Sequence, residues 1–160
     1  MKRSVHTLVT IAAVGVLALA WSAVVEAKDS MELVIGSGPH AGTHKLDKGI
    51  LICMQQKSSG QLSAVFKDLN ATDAKQISGV GFNVFNPDDP GAKKGGIRVV
   101  FGDPYNKKKG PILEVTVPGD SKGPINMSKS GKSVTLSFDG KTRDGTKLQI
   151  KAVCDEVGSY

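Results

Sequence analysis

The sequence predicts an all-β fold, an antiparallel β-sandwich of about eight strands carrying one disulfide, with a closed β-barrel as the alternative. Three observations carry that expectation. Apolar residues alternate with period two in segment after segment, turn residues fill nearly every gap, and two cysteines, Cys53 and Cys154, stand far apart in a chain that opens with an export signal.

At the amino terminus, Lys2 and Arg3 precede an apolar run from Leu8 to Trp21, and Val25-Glu26-Ala27 offers slim or small side chains where a signal peptidase reads. Residues 1–27 are therefore expected to be a signal peptide cut after Ala27. Residues 28–160 would form a single β-sandwich domain, secreted or periplasmic. The rival reading is an uncleaved anchor, since Thr7 to Val25 approaches the roughly 20 residues that cross a bilayer. No cysteine lies near the cut to accept a lipid, so no stable membrane insertion is expected after cleavage.

The strands follow in order. Met31, Leu33 and Ile35 alternate around Glu32; Leu62, Ala64 and Phe66 around Ser63; Val80, Phe82 and Val84 around Gly81 and Asn83. Ile97, Val99 and Phe101 repeat the pattern, as do Leu113, Val115 and Val117, then Val134, Leu136 and Phe138. The last strand sets Leu148, Ile150, Ala152 and Cys154 on one face. Gly49 to Met54 differs: its continuous apolar run predicts a central strand covered on both faces. Turns are marked by Gly36 to Gly42, Asn86 to Gly91, Gly102-Asp103-Pro104, Pro118-Gly119-Asp120, Asp139-Gly140 and Asp144-Gly145. The one helical segment expected is a single turn over Thr72 to Ile77, capped by Asn70 or Thr72.

The 133 residues after the cut suffice for one domain that buries about two-thirds of its unfolded surface. The signal removes two bases and one acid, so the charge falls from +6 to +5, carried by 17 Lys and 2 Arg against 14 acids. Lysine gives point charges without the planar fork that reads phosphate in register, and nucleic acid is not an expected partner. Trp21 leaves with the signal, and five Phe and two Tyr remain, too few for the stacking platforms of sugar binders.

Cys154 shares its strand face with Leu148 and Ile150 and so points into the core. In an exported chain with an even cysteine count, the simple reading is a disulfide to Cys53, which ties the last strand to a central one. It also removes both sulfurs as nucleophiles or metal ligands.

Gly38-Pro39-His40-Ala41-Gly42-Thr43-His44 is the one local cluster with chemical potential. His40 and His44 would share a face if the segment were helical, yet the glycines and proline predict a loop running into a strand, and no third ligand stands nearby at zinc spacing. They are read as exposed loop histidines and weak metal candidates only. Asp88, Asp89, Asp103, Asp139 and Asp144 sit in turns, where Asp ordinarily bonds the backbone, and no twelve-residue calcium loop is present. Lys93, Lys94, Lys107, Lys108 and Lys109 flank the strand from Ile97 to Phe101; they are contacts for an anionic surface or a solvated edge. A serine nucleophile would find no base beyond the two loop histidines, and Gly-x-Ser-x-Gly does not occur. Phosphate loops and dinucleotide fingerprints do not occur either, and no cofactor is expected.

Gly38 to Thr43 ahead of an early strand cysteine, Ser78-Gly79-Val80-Gly81-Phe82 in mid chain, and Phe138 to Gly145 before a terminal strand ending in Cys154 resemble a group of uncharacterised bacterial secreted domains. More remotely, the chain is similar to the mycobacterial 19-kDa lipoprotein antigen group, over about Ile50 to Cys154. It lacks that group's lipid-accepting cysteine. The resemblance implies a disulfide-linked β-sandwich on the envelope side of the membrane, with no catalytic residues carried across.

The functional expectation is a noncatalytic secreted or periplasmic module that binds an envelope or extracellular partner through its loops or an exposed sheet face. Two alternatives stand beside it: a carrier of a small apolar ligand, which needs an interior cavity, and a metal-dependent hydrolase using His40 or His44 as ligand or base.

Overall fold

A computed structural model of the chain describes residues 29–89, 93–103, 112–117, 119 and 123–160. The expected signal segment with its cut after Ala27, and Lys107, Lys108 and Lys109, lie outside the described residues.

Eleven strands form, and there is no helix among the described residues. In chain order they are β1 (Ser30–Ile35), β2 (Gly42–Lys45), β3 (Ile50–Gln55), β4 (Leu62–Lys67), β5 (Ile77–Phe85), β6 (Lys94–Phe101), β7 (Ile112–Val117), β8 (Ile125–Ser130), β9 (Ser133–Lys141), β10 (Lys147–Cys154) and β11 (Gly158–Ser159). They make a five-stranded sheet in the order β2-β1-β10-β9-β8 and a six-stranded sheet in the order β11-β3-β4-β5-β6-β7. Every pairing is antiparallel except the short parallel one of β11 with β3. The sheets pack face to face and are not closed into a barrel: β7 and β8 follow one another in the chain yet edge different sheets.

The alternation seen in the sequence fills the space between the sheets. The five-stranded sheet contributes Met31, Leu33, Ile35, Leu136, Phe138, Leu148 and Ile150, and the six-stranded sheet Leu62, Phe66, Val80, Phe82, Val99, Phe101 and Val115, within one buried cluster. Each inward side chain is flanked by outward ones because successive strand residues point to opposite faces. Phe82, Phe101 and Phe138 are the largest of the fully buried side chains. Full burial of such a side chain contributes roughly 1.5–3 kcal/mol. The disulfide joins Cys53 to Cys154 across the sheets over a sequence separation of 101.

Four details depart from the sequence reading. β3 is not doubly covered: beyond it lies only two-residue β11, and its outward residues Ile50 and Ile52 are exposed. The expected Cys53–Cys154 disulfide forms and ties β10 to β3, but β3 lies near the edge of its sheet rather than at its centre. Residues Thr72 to Gln76 form a turn instead of a helix. The Gln76 side-chain oxygen accepts from the amides of Thr72 and Asp73, the Asp73 carboxylate takes the Lys75 amide, and the chain enters β5 directly. Finally, β2, β8 and β11 are additional strands. β8 buries only Ile125, and a tight turn with Gly131 at φ 60° returns it to β9 in the manner of a type II′ hairpin.

Candidate functional site

The histidines lie at one end of the sandwich. His40 sits in the turn before β2, its ring stacked on Phe101 with centroids 3.8 Å apart and planes inclined by 26°. His44 lies within β2 opposite Leu33, and its Nε2–H donates to the His40 carbonyl oxygen at 2.9 Å. One imidazole therefore caps the apolar core, and the other fastens the loop that carries it. Both are half-buried rather than the exposed loop groups expected. Beside His44 a shallow cleft of about 260 Å³ is bordered by Asp47, Phe66, Asp68, Lys75 and Gln76. Among the described residues no group of three His, Cys, Asp or Glu side chains converges to hold a metal ion.

The acids expected in turns are dispersed, and Asp139 with Gly140 lies within β9, paired to β10, rather than in a turn. Asp88 pairs with Lys129 at 2.9 Å, tying the turn after β5 to β8, and the Lys129 hydrogen bond and charge hold its carboxyl below the usual value of 3.8. Asp144 accepts from the Thr142 hydroxyl and lies near the Thr146 amide, which hold its carboxyl low in the same way. Asp139 takes the Gln149 side-chain amide at 2.7 Å. Of the lysines named from the sequence, Lys93 donates to the Asp89 carbonyl and is half-buried, and Lys94 is exposed at the start of β6, opposite Phe85.

The outer faces of the two sheets differ sharply in chemistry. Across the five-stranded sheet, one register row reads Lys45, Glu32, Lys151, Ser137, Asn126, and the next Thr43, Val34, Gln149, Asp139. That face is polar nearly throughout. Across the six-stranded sheet, the outward rows are Ile52, Val65, Gly81, Arg98, Glu114; then Ile50, Lys67, Gly79, Val100, Ile112; then Met54, Ser63, Asn83, Gly96, Thr116. Ile50 is 58% exposed and Ile52 44%, and Phe85 and Ile112 are exposed on the same face. Its polar groups are largely paired within the sheet. Arg98 Nε meets Glu114 at 3.2 Å, and the Ser63 hydroxyl donates to the Asn83 side chain at 2.7 Å.

Gly79, Gly81 and Gly96 form the floor of this face, and the fold does not need them to be glycine. None has a positive φ, and a Cβ built at each would meet its nearest neighbour only at 3.7 to 3.9 Å, an ordinary contact. Gly95, one residue away, is the opposite case, because a Cβ there would lie 2.2 Å from the Asn83 carbonyl oxygen. Glycine inside a strand costs about 0.5–1 kcal/mol relative to alanine. Such a glycine marks a bulge or a close approach; Gly79 borders the register shift between β5 and β6, whereas Gly81 and Gly96 lie clear of it. The result is a ridge of Ile50, Ile52, Met54 and Val65 on β3 and β4 beside β5 and β6, where Gly79, Gly81 and Gly96 leave a trough interrupted by Asn83, Arg98 and Val100.

No protein-family model, curated protein or solved structure matches the chain. The glycine-floored face is the feature that the sequence reading missed. Its signals were present in Ser78-Gly79-Val80-Gly81-Phe82 and in the run Gly49 to Met54.

Proposed function

We propose that the chain is a noncatalytic interaction module of the cell envelope, exported and stapled by its disulfide, that works through the outer face of its six-stranded sheet. The observation that carries this reading is the exposed apolar ridge beside a trough of three glycines whose bareness the fold does not require. Exposed apolar side chains gathered on one sheet face favour an interaction site. The disulfide supports an oxidising compartment, and no helix among the described residues is long and apolar enough to cross a membrane.

The alternatives find less support. A hydrolase using His40 or His44 would need those rings free and convergent, whereas one is stacked on Phe101 and the other holds a backbone carbonyl. A carrier of apolar ligands would need room between the sheets, which is taken by Phe82, Phe101, Phe138 and their neighbours.

Site-specific photo-crosslinking in the exporting host tests the reading. A photoreactive residue at position 52 should give defined adducts, and one at position 34 on the polar face should not. Equal yields at both positions, or none at 52, would refute it.

A further inference from the structure

The relief of the glycine-floored face is complementary to itself, and from that we infer that its occupant is a second copy of the same chain; this rests on the reading of that face as an interaction surface. A two-fold axis lying along the strands between β4 and β5 sets each strand against a different one of the partner copy: β4 over β5, and β3 over β6. Rows are preserved by that rotation. Val65 then descends onto Gly81 of the second copy, Met54 onto Gly96, and Lys67 onto Gly79, while Ile50 meets Val100 and Ile52 lies along the Arg98 stem. Ridge enters trough twice, once from each copy. This is the reciprocity that an isologous interface demands, and two sheets packed face to face about 10 Å apart require such interdigitation.

The area fits a weak interface. The four strands that overlap, β3 to β6, at about 4.8 Å spacing and about five residues of rise, present a projected footprint of roughly 300 Å². With side-chain relief the accessible surface comes to roughly 450–600 Å² per copy, just under the approximately 600–1,000 Å² that each partner contributes to a standard interface. The outcome is a reversible dimer of modest affinity.

Charge separates this occupant from an anionic one. Arg98 and Glu114 are already paired within each copy, so the net charge brought to the face is that of Lys67 and Lys94, repeated on both copies. Salt screens that repulsion and should strengthen the dimer, whereas it would weaken binding to an anionic polymer.

Sedimentation velocity on the mature, disulfide-intact chain, from about 1 to about 300 µM, reads the association directly. The expected result is a shift from monomer to dimer within that range, moving to lower concentration as salt rises. Gly81→Arg fills the trough and Ile52→Lys charges the ridge. Each should keep the wild-type melting temperature and move association at least tenfold to higher concentration. Ile52 is outward and exposed, so its variant leaves the core intact. A wild-type chain that stays monomeric throughout, or variants that associate as readily as wild type, would overturn the inference. If position 52 still crosslinks to a different envelope protein in the host, the interaction reading survives without the second copy. Position-52 adducts at twice the chain mass support both.

Discussion

Cys53 on β3 and Cys154 on β10 stand with their Cα atoms 6.0 Å apart, one on each sheet, and their disulfide is the covalent bond that crosses the core. It closes a loop of about 100 residues, for which chain entropy gives up to about 4.7 kcal/mol. A Cys53→Ala, Cys154→Ala double variant should lose about 3–5 kcal/mol of unfolding free energy in urea, and reductant should lower the wild type alike. A loss under about 1 kcal/mol would mean that packing alone holds the sheets together.

The glycines make opposite predictions at neighbouring positions. Gly95→Ala forces a Cβ against the Asn83 carbonyl and should destabilise by several kcal/mol, on the order of 2–4. Gly81→Thr has open space and an outward strand position, and should leave stability unchanged or raise it by about 0.5–1 kcal/mol. Thermal unfolding of both variants checks the contrast, and a destabilised Gly81→Thr would show that the fold itself demands the bare floor.

His40 covers Phe101, and its loss should be felt as packing. His40→Ala is expected to lower stability by about 0.5–1.5 kcal/mol, the range of an aromatic stacking contact. His44→Ala frees the His40 carbonyl and should cost about 1 kcal/mol. Zinc titrated calorimetrically into wild type and into the double variant should give indistinguishable isotherms; tighter binding by wild type would restore the metal reading.

Acid should weaken the turns held by Asp88 and Asp144. Both carboxyls sit below the ordinary 3.8 when folded, Asp88 through Lys129 and Asp144 through the Thr142 hydroxyl. A depressed folded value adds stability that is complete above the unfolded value and is lost as pH falls through the folded one. Asp144→Asn and Asp88→Asn should therefore melt below wild type at about pH 6, with the gap closing below about pH 4. Melting curves recorded across that interval decide it, and a gap unchanged in acid would show that the carboxylates' charge plays no part.

The eight strands foreseen in the sequence all form, because each has inward apolar residues at period two and turn residues at its ends. Those that escaped notice lack one or both signals. β2 is Gly-Thr-His-Lys, β8 buries only Ile125, and β11 is held by backbone bonds, the Tyr160 amide donating to Gln55 and the Lys57 amide to Tyr160. β3 was misplaced for a different reason. Its apolar run indicates that both faces avoid water, but not whether the outer cover comes from the same chain, and Ile50 and Ile52 are left uncovered. The candidate face stayed hidden because it depends on cross-strand register, which places Val65 beside Gly81 although 16 positions separate them. Likewise, no spacing rule places His40 on Phe101.

In the five-stranded sheet, β1 is hydrogen-bonded along its length to β10, from Ser30 opposite Val153 to Ile35 opposite Leu148. β1 thus waits for a strand about 110 residues further along the chain, and until residues 147–154 exist β1 has only the four residues of β2 beside it. Half of the core therefore cannot assemble until residues 147–154 are present, a delay that suits a chain proposed to cross a membrane before it folds.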